Sequence, residues 1–245
     1  MILNIILITL FIPVVLLNII GPLIIYRTQK LPTRVHFQTL NEQEFPAKHG
    51  DDAARLGKKL QALGFEHIGS SSLPDTHNTA YFSLYSHAKD YTTAMLVTMD
   101  NKAKSFTYIE FSQLYSDGTM LDVSNAPVVP VYPRMSLKLS TRYPAIHDAE
   151  DLYGIFLKLK SILKNSSSPA YYKPEYGFSK VEEFMAWESD KLVELGYCKN
   201  AIDSDGKRAL TLKGAFILTW KSVFPGKYIY DKVDQSYSKK ILNNN

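Results

Sequence analysis

The chain has 245 residues, 45% of them hydrophobic, and a formal net charge of +4, which excludes a disordered or collagen-like chain and allows one or two packed domains. Its single cysteine, Cys198, excludes an internal disulfide framework. Gly-rich phosphate loops, G-x-S-x-G, H-E-x-x-H and C-x-x-C are absent, so nucleotide, serine-hydrolase and zinc chemistry have no sequence signature here.

The opening stretch, from Ile2 to Ile25, carries no charge. As a helix it is about 36 Å long, against about 30 Å of bilayer hydrocarbon. It exceeds a signal-peptide core, has no Lys or Arg before it, and offers no small-x-small cleavage site after it. Residues 2–25 are therefore expected to form one transmembrane helix, with Pro13 and Pro22 tolerated as they are in lipid. Tyr26 then sits at the interface with Arg27, Lys30 and Arg34, and no acid follows until Glu42. Positive flanks stay inside, so the expectation is a single-pass inner-membrane protein, its bulk cytoplasmic and the lipid bilayer a partner.

Residues 26–50 read as a juxtamembrane connector. A helix follows, capped by Asp51, with Leu56, Leu60 and Leu63 on one stripe and Gly64 at its end. Short alternating runs come next: "FEHIG", "TAYFSLYSH", "TTAMLVTM", "SFTYIEFSQLY" and "TMLDVSN". Turn signals at Asp100-Asn101 and Ser116-Asp117-Gly118 make them an antiparallel meander. A proline-punctuated stretch carries an edge strand through Met135, Leu137 and Leu139. "HDAEDLYGIFLKLKSILK" is a helix capped by Asp148, burying Leu152, Ile155, Phe156, Leu159 and Leu163. Residues 51–164 thus form one α+β domain, a meander flanked by helices.

Residues 165–178 are a linker by composition. Residues 179–224 read as helix, β-hairpin, helix. Ser179 and Glu182 stand at capping-box spacing, Gly196 ends the first helix, Asp205-Gly206 turns the hairpin and Pro225 stops the second helix. Residues 225–245 are a polar tail, expected to be loosely held. The last 47 residues hold nine Lys/Arg against four Asp/Glu, so the basic character is C-terminal.

Glu110 shares a strand face with Phe106, Tyr108 and Leu114. A carboxylate among aromatics has a raised pKa and can work as a general acid or base with a nearby His. Glu188 falls on the apolar stripe of Val181, Met185, Leu192 and Leu195, where a structural tie to the hairpin is expected. Tyr81, Ser83, Tyr85 and His87 share one strand face, read as the solvent side of the sheet rather than a ligand groove. The six histidines lack metal-ligand spacing, so neither a metal site nor a cofactor is expected.

"LVELGYCKNAIDSDGKRALTLKGAF" resembles the end of a winged-helix domain at Leu192, Gly196, Tyr197, Asp205, Gly206, Leu210, Thr211 and Gly214. In DNA-binding members the wing brings basic residues to phosphate, and Lys207, Arg208 and Lys213 stand at or next to that position. Only one helix fits between the linker and Gly196, whereas a helix-turn-helix needs two, so the hairpin is read first as a packing or protein-contact element. The order of segments also resembles bacterial proteins of uncharacterised function with one N-terminal membrane anchor. The function expected is a non-catalytic binding or scaffolding module at the cytoplasmic membrane surface, with a protein partner or self-association. The alternatives are a tethered enzyme using Glu110 and a tethered nucleic-acid binder using the hairpin.

Overall fold

The computed structural model describes the backbone of residues 2–40, 44–74, 78–101, 105–163 and 167–243, and the side chains of 12–40, 51–73, 79–100, 105–163 and 167–243. In chain order the elements are α1 (Ile2–Thr28), β1 (Lys30–Pro32), β2 (Gln38–Leu40), α2 (Glu44–Ala62), β3 (Glu66–Pro74), β4 (Asn78–His87), β5 (Thr92–Asn101), β6 (Ser105–Leu114) and β7 (Met120–Ser124). They continue with β8 (Lys138–Arg142), α3 (Ala149–Ile162), a 3-10 turn at Pro174–Tyr176, α4 (Ser179–Glu194), β9 (Cys198–Ile202), β10 (Lys207–Leu210), α5 (Leu212–Ser222) and α6 (Gly226–Asn243). The chain divides into two compact units: a hairpin unit of Met1–Val35, Val129–Pro133 and Glu183–Val233, and a sheet unit of His36–Val128, Arg134–Glu182 and Asp234–Asn245.

The sheet unit is built on a seven-stranded sheet of order β2-β3-β4-β5-β6-β7-β8. Every neighbouring pair is antiparallel except β7 and β8, which run parallel with Leu121 opposite Leu139. The sheet is therefore mixed and not a pure meander: the proline-rich stretch before Lys138 carries the chain back to the start of β7 instead of turning it tightly. Helices α2 and α3 cover one face, where Leu60, Leu96, Ile109, Phe111, Leu152, Phe156 and Leu159 are completely buried. The α3 stripe follows the helical period, and Asp148 caps the helix by accepting from Glu150 N at 2.9 Å. Helix α2 starts at Glu44, so Asp51 lies inside it and not at its cap.

The face of β4 expected to meet solvent is instead covered. Ser83 and Tyr85 are buried, and a Cβ on Gly57 of α2 would meet the Tyr85 hydroxyl at 2.8 Å. Leu84, on the opposite face, is buried as well. There Phe37 lies against both Phe82 and Phe178, at centroid distances of 4.9 and 4.8 Å. Glu182 does not close a capping box with Ser179; it accepts from the Phe37 amide at 2.8 Å.

The C-terminal stretch read as a loose tail forms α6. Residues 234–243 of α6 seal the outer edge of β8: Ser238 Oγ accepts from Arg142 N at 2.8 Å, and Tyr143 donates to Ser238 O at 2.9 Å. Asp234 accepts from Arg142 Nε and from Arg134 Nη2. An edge strand is thereby closed by side chains instead of a further strand.

The hairpin unit holds a three-stranded antiparallel sheet of order β1-β10-β9. Gly206 turns the hairpin with φ +71°, a conformation that only glycine adopts without cost. Thr211 caps α5 by accepting from Gly214 N at 3.1 Å. At Gly214 a Cβ would meet Tyr197 O at 2.1 Å, so the start of α5 can approach the hairpin only with glycine there. Lys221 of α5 holds the Val129–Pro133 segment by donating to the carbonyls of Pro130, Val131 and Tyr132 at 3.0–3.3 Å.

The transmembrane expectation is corrected here. Among the described residues no helix is long and apolar enough to cross a membrane. Helix α1 carries Arg27 in its last turn. One of its stripes, moreover, is engaged by protein: α1 packs along α5, and Asn18 Nδ2 donates to Phe224 O at 3.0 Å. The single-pass topology, the inner-membrane location and the cytoplasmic placement of the bulk fall with that assignment.

Candidate functional site

The residues read as a basic membrane interface serve largely as partners inside the hairpin unit. Lys30 bonds Asp203 at 2.7 Å, and this contact pulls the Asp203 carboxyl below its ordinary range and raises Lys30. Arg34 pairs with Asp190 at 3.5 Å, and Lys199 lies over the ring of Tyr26 at 4.8 Å. Arg27 is exposed at the end of α1.

The hairpin's cations are similarly occupied. Arg208 is buried, its Nη1 donating to Asp190 Oδ1 at 2.8 Å and to the Ser189 carbonyl at 3.2 Å. Lys213 donates to Leu195 O at 2.7 Å, capping the end of α4, and sits over the Tyr197 ring. Lys207 alone of the three points outward without a partner recorded for its ammonium. A phosphate-binding wing needs several cations free to meet a backbone, and two of these three are committed. The sequence does not show this, because Asp190 and Arg208 meet only through the packing of α4 on β10.

In the sheet unit Glu110 belongs to a charged cluster. Strand register places Ser112 opposite Asp122 and Asp122 opposite Ser140, and brings Lys138 to the same face. Lys138 Nζ lies 3.9 Å from Glu110 and 3.8 Å from Asp122. Asp122 also accepts from Ser112 Oγ at 3.1 Å and Ser140 Oγ at 3.0 Å. Burial, then the two carboxylates, push the Tyr108 phenol far above its ordinary range and keep it protonated. Glu110 thus stands beside an ammonium that it shares with Asp122. The sequence singles out Glu110 and misses Asp122, although the alternation of "MLDVS" puts Asp122 on the same face as Met120 and Ser124. Glu188 is buried in the hairpin unit, where its charge and that of Cys198 add to burial in raising Tyr132 to about 12. The adjoining hollow, lined by Tyr132, Leu192, Leu210 and Ile217, measures only about 20 Å³, room for one water and no substrate.

Apolar surface is distributed unevenly. Of twenty large apolar residues exposed among the described residues, sixteen belong to the hairpin unit. Seven lie on α1: Ile12, Leu16, Leu17, Ile19, Ile20, Leu23 and Ile24, between 45% and 61% exposed. On a helical wheel they fill an arc of about 160°. Val14, Asn18, Gly21, Pro22 and Ile25, buried or half-buried, fill the opposite side. At Gly21 a Cβ would stand 3.0 Å from Thr219 Cγ2 of α5. Helix α1 is therefore apolar on both faces and is covered by the chain on one.

No protein-family model matches the chain, and neither a curated protein nor a solved structure matches it. Among the described residues no group of three or more His, Cys, Asp or Glu side chains is placed to hold a metal ion.

Proposed function

We propose that this protein is a non-catalytic binding module that engages a protein partner through the outward face of α1. One observation carries the reading: seven half-exposed aliphatic side chains on one uncharged helical face whose reverse is already packed on α5. A surface helix in water carries polar residues outside, and one that is apolar all round is covered on both sides in its working state. Covering a half-exposed Leu or Ile contributes on the order of 1 kcal/mol, so a partner gains several from this face before the cost of association. The engagement of Arg208 and Lys213 inside the unit favours a protein partner over nucleic acid. The Lys138 ammonium beside Glu110 favours a structural role for that carboxylate.

The test is the pair of substitutions Leu16→Asp and Leu23→Asp in the full chain. Binding of a hydrophobic naphthalene-sulfonate dye should fall several-fold while far-ultraviolet circular dichroism is kept. Undiminished dye binding by the folded double variant would overturn the reading.

A further inference from the structure

We infer that His87 is a protonation switch that sets the conformation of the turn between β4 and β5, and with it the position of the exposed Tyr91. The turn spans residues 88–91, between the paired residues His87 and Thr92. Tyr91 occupies the left-handed region at φ +53°, the one such non-glycine residue among those described. A bulky residue stays in that region only when its surroundings hold it there. Its side chain does not supply the hold, being 44% exposed and set against the ring of Tyr171 at 5.6 Å between centroids.

The hold comes through the preceding residue, Asp90, which makes four hydrogen bonds; in one of them Thr92 Oγ1 donates to the Asp90 carbonyl at 3.3 Å. Lys160 of α3 donates to the Asp90 carbonyl. Tyr153 of α3 donates to Asp90 Oδ2 at 2.5 Å. The Asp90 amide donates to His87 Nδ1 at 3.2 Å. The bond from the Asp90 amide requires Nδ1 to be unprotonated, with the ring proton on Nε2. The same Nδ1 lies 3.3 Å from Asp90 Oδ2. A proton added to Nδ1 removes the acceptor for the Asp90 amide and creates a charge-assisted donor to the Asp90 carboxylate. One atom thus has two mutually exclusive bonding patterns, both with Asp90, and the imidazole's charge selects between them.

The groups facing His87 fit this exchange. The end of α2 supplies Gly64, where a Cβ would stand 2.9 Å from Nε2, and the uncharged ring of Phe65 at 5.1 Å. Helix α3 supplies Tyr153 and Lys160, both bound to Asp90. Lys89, in the turn itself, is exposed. Among the described residues Asp90 is therefore the single carboxylate against the ring, and the alternatives resolve on it. With the hydrogen bond from the amide released, Asp90 and Tyr91 lose one of four constraints and the strained backbone relaxes.

The experiment is a pH titration of the full, nitrogen-15-labelled chain by nuclear magnetic resonance, following the His87 ring nitrogens and the Asp90 amide together. At high pH, Nδ1 should report as an unprotonated acceptor and Nε2 as protonated. As His87 gains its second proton, protection of the Asp90 amide from exchange should fall about five- to tenfold with the same midpoint. In His87→Gln that step should vanish. An Asp90 amide indifferent to the His87 titration, a step that persists in His87→Gln, or an Nδ1-protonated neutral ring would each overturn the inference; the first and third are read on the unmodified chain.

Discussion

Gly21 of α1 lies against Thr219 of α5 so closely that a Cβ would come within 3.0 Å of the threonine methyl. This contact commits one face of α1 to the hairpin unit, while the opposite face is exposed. Gly21→Leu should lower the denaturation midpoint, with a cost of about 1–3 kcal/mol for overpacking, and Gly21→Ala should cost less. Equal stability of Gly21→Leu and the unmodified chain would mean that the helices are not in close contact.

Asp190 anchors the buried Arg208 and also meets Arg34. The hydrogen bond from Arg208 is the first cause holding the Asp190 carboxyl below its ordinary range. A depressed carboxyl stabilises the fold fully above its unfolded pKa, about 3.9, and that contribution is lost as pH falls through the lower, folded value. The stability difference between the unmodified chain and Asp190→Asn should therefore be largest near neutral pH and close below about pH 4. A pH-independent difference would show that the ion pair is not its source.

Lys138 stands between Glu110 and Asp122. Lys138→Met leaves the buried Asp122 and the half-buried Glu110 without their shared ammonium and should destabilise the sheet unit by about 1–3 kcal/mol. Adding Glu110→Gln removes one of those charges and should recover part of the loss, a coupling that a double-mutant cycle measures directly. Independent, additive effects would separate Glu110 from the cluster.

The elements that the sequence reveals best are those with local causes. The Asp148 cap and the Leu152, Phe156, Leu159 stripe define α3, Gly206 defines the hairpin turn, and Thr211 defines the start of α5; all are settled within a few residues. What the sequence hides depends on distant partners. Residues 26–50 look like a connector because β1 and β2 are three residues each and become strands only on meeting β10 and β3. Helix α6 looks like a polar tail because Asp234 and Ser238 acquire their purpose from Arg142, far away in sequence. The opening apolar run reads as a membrane span because composition does not show that Asn18 and Gly21 meet the 219–224 stretch. Glu110 looks exceptional for the same reason: its partner Lys138 lies beyond a parallel crossover that turn signals do not announce.

The central claim is that the outward face of α1 is covered by a partner in the working state. Cysteines placed one at a time by Leu16→Cys, Ile20→Cys and Leu23→Cys, with Lys89→Cys as a control on the exposed turn and the buried Cys198 replaced by Ser throughout, allow thiol-labelling rates to be compared between the purified chain and the chain in its native cellular extract. The account predicts that the three α1 positions react at least several-fold more slowly in the extract while the control is unchanged. Equal rates at all four positions in both settings would contradict it.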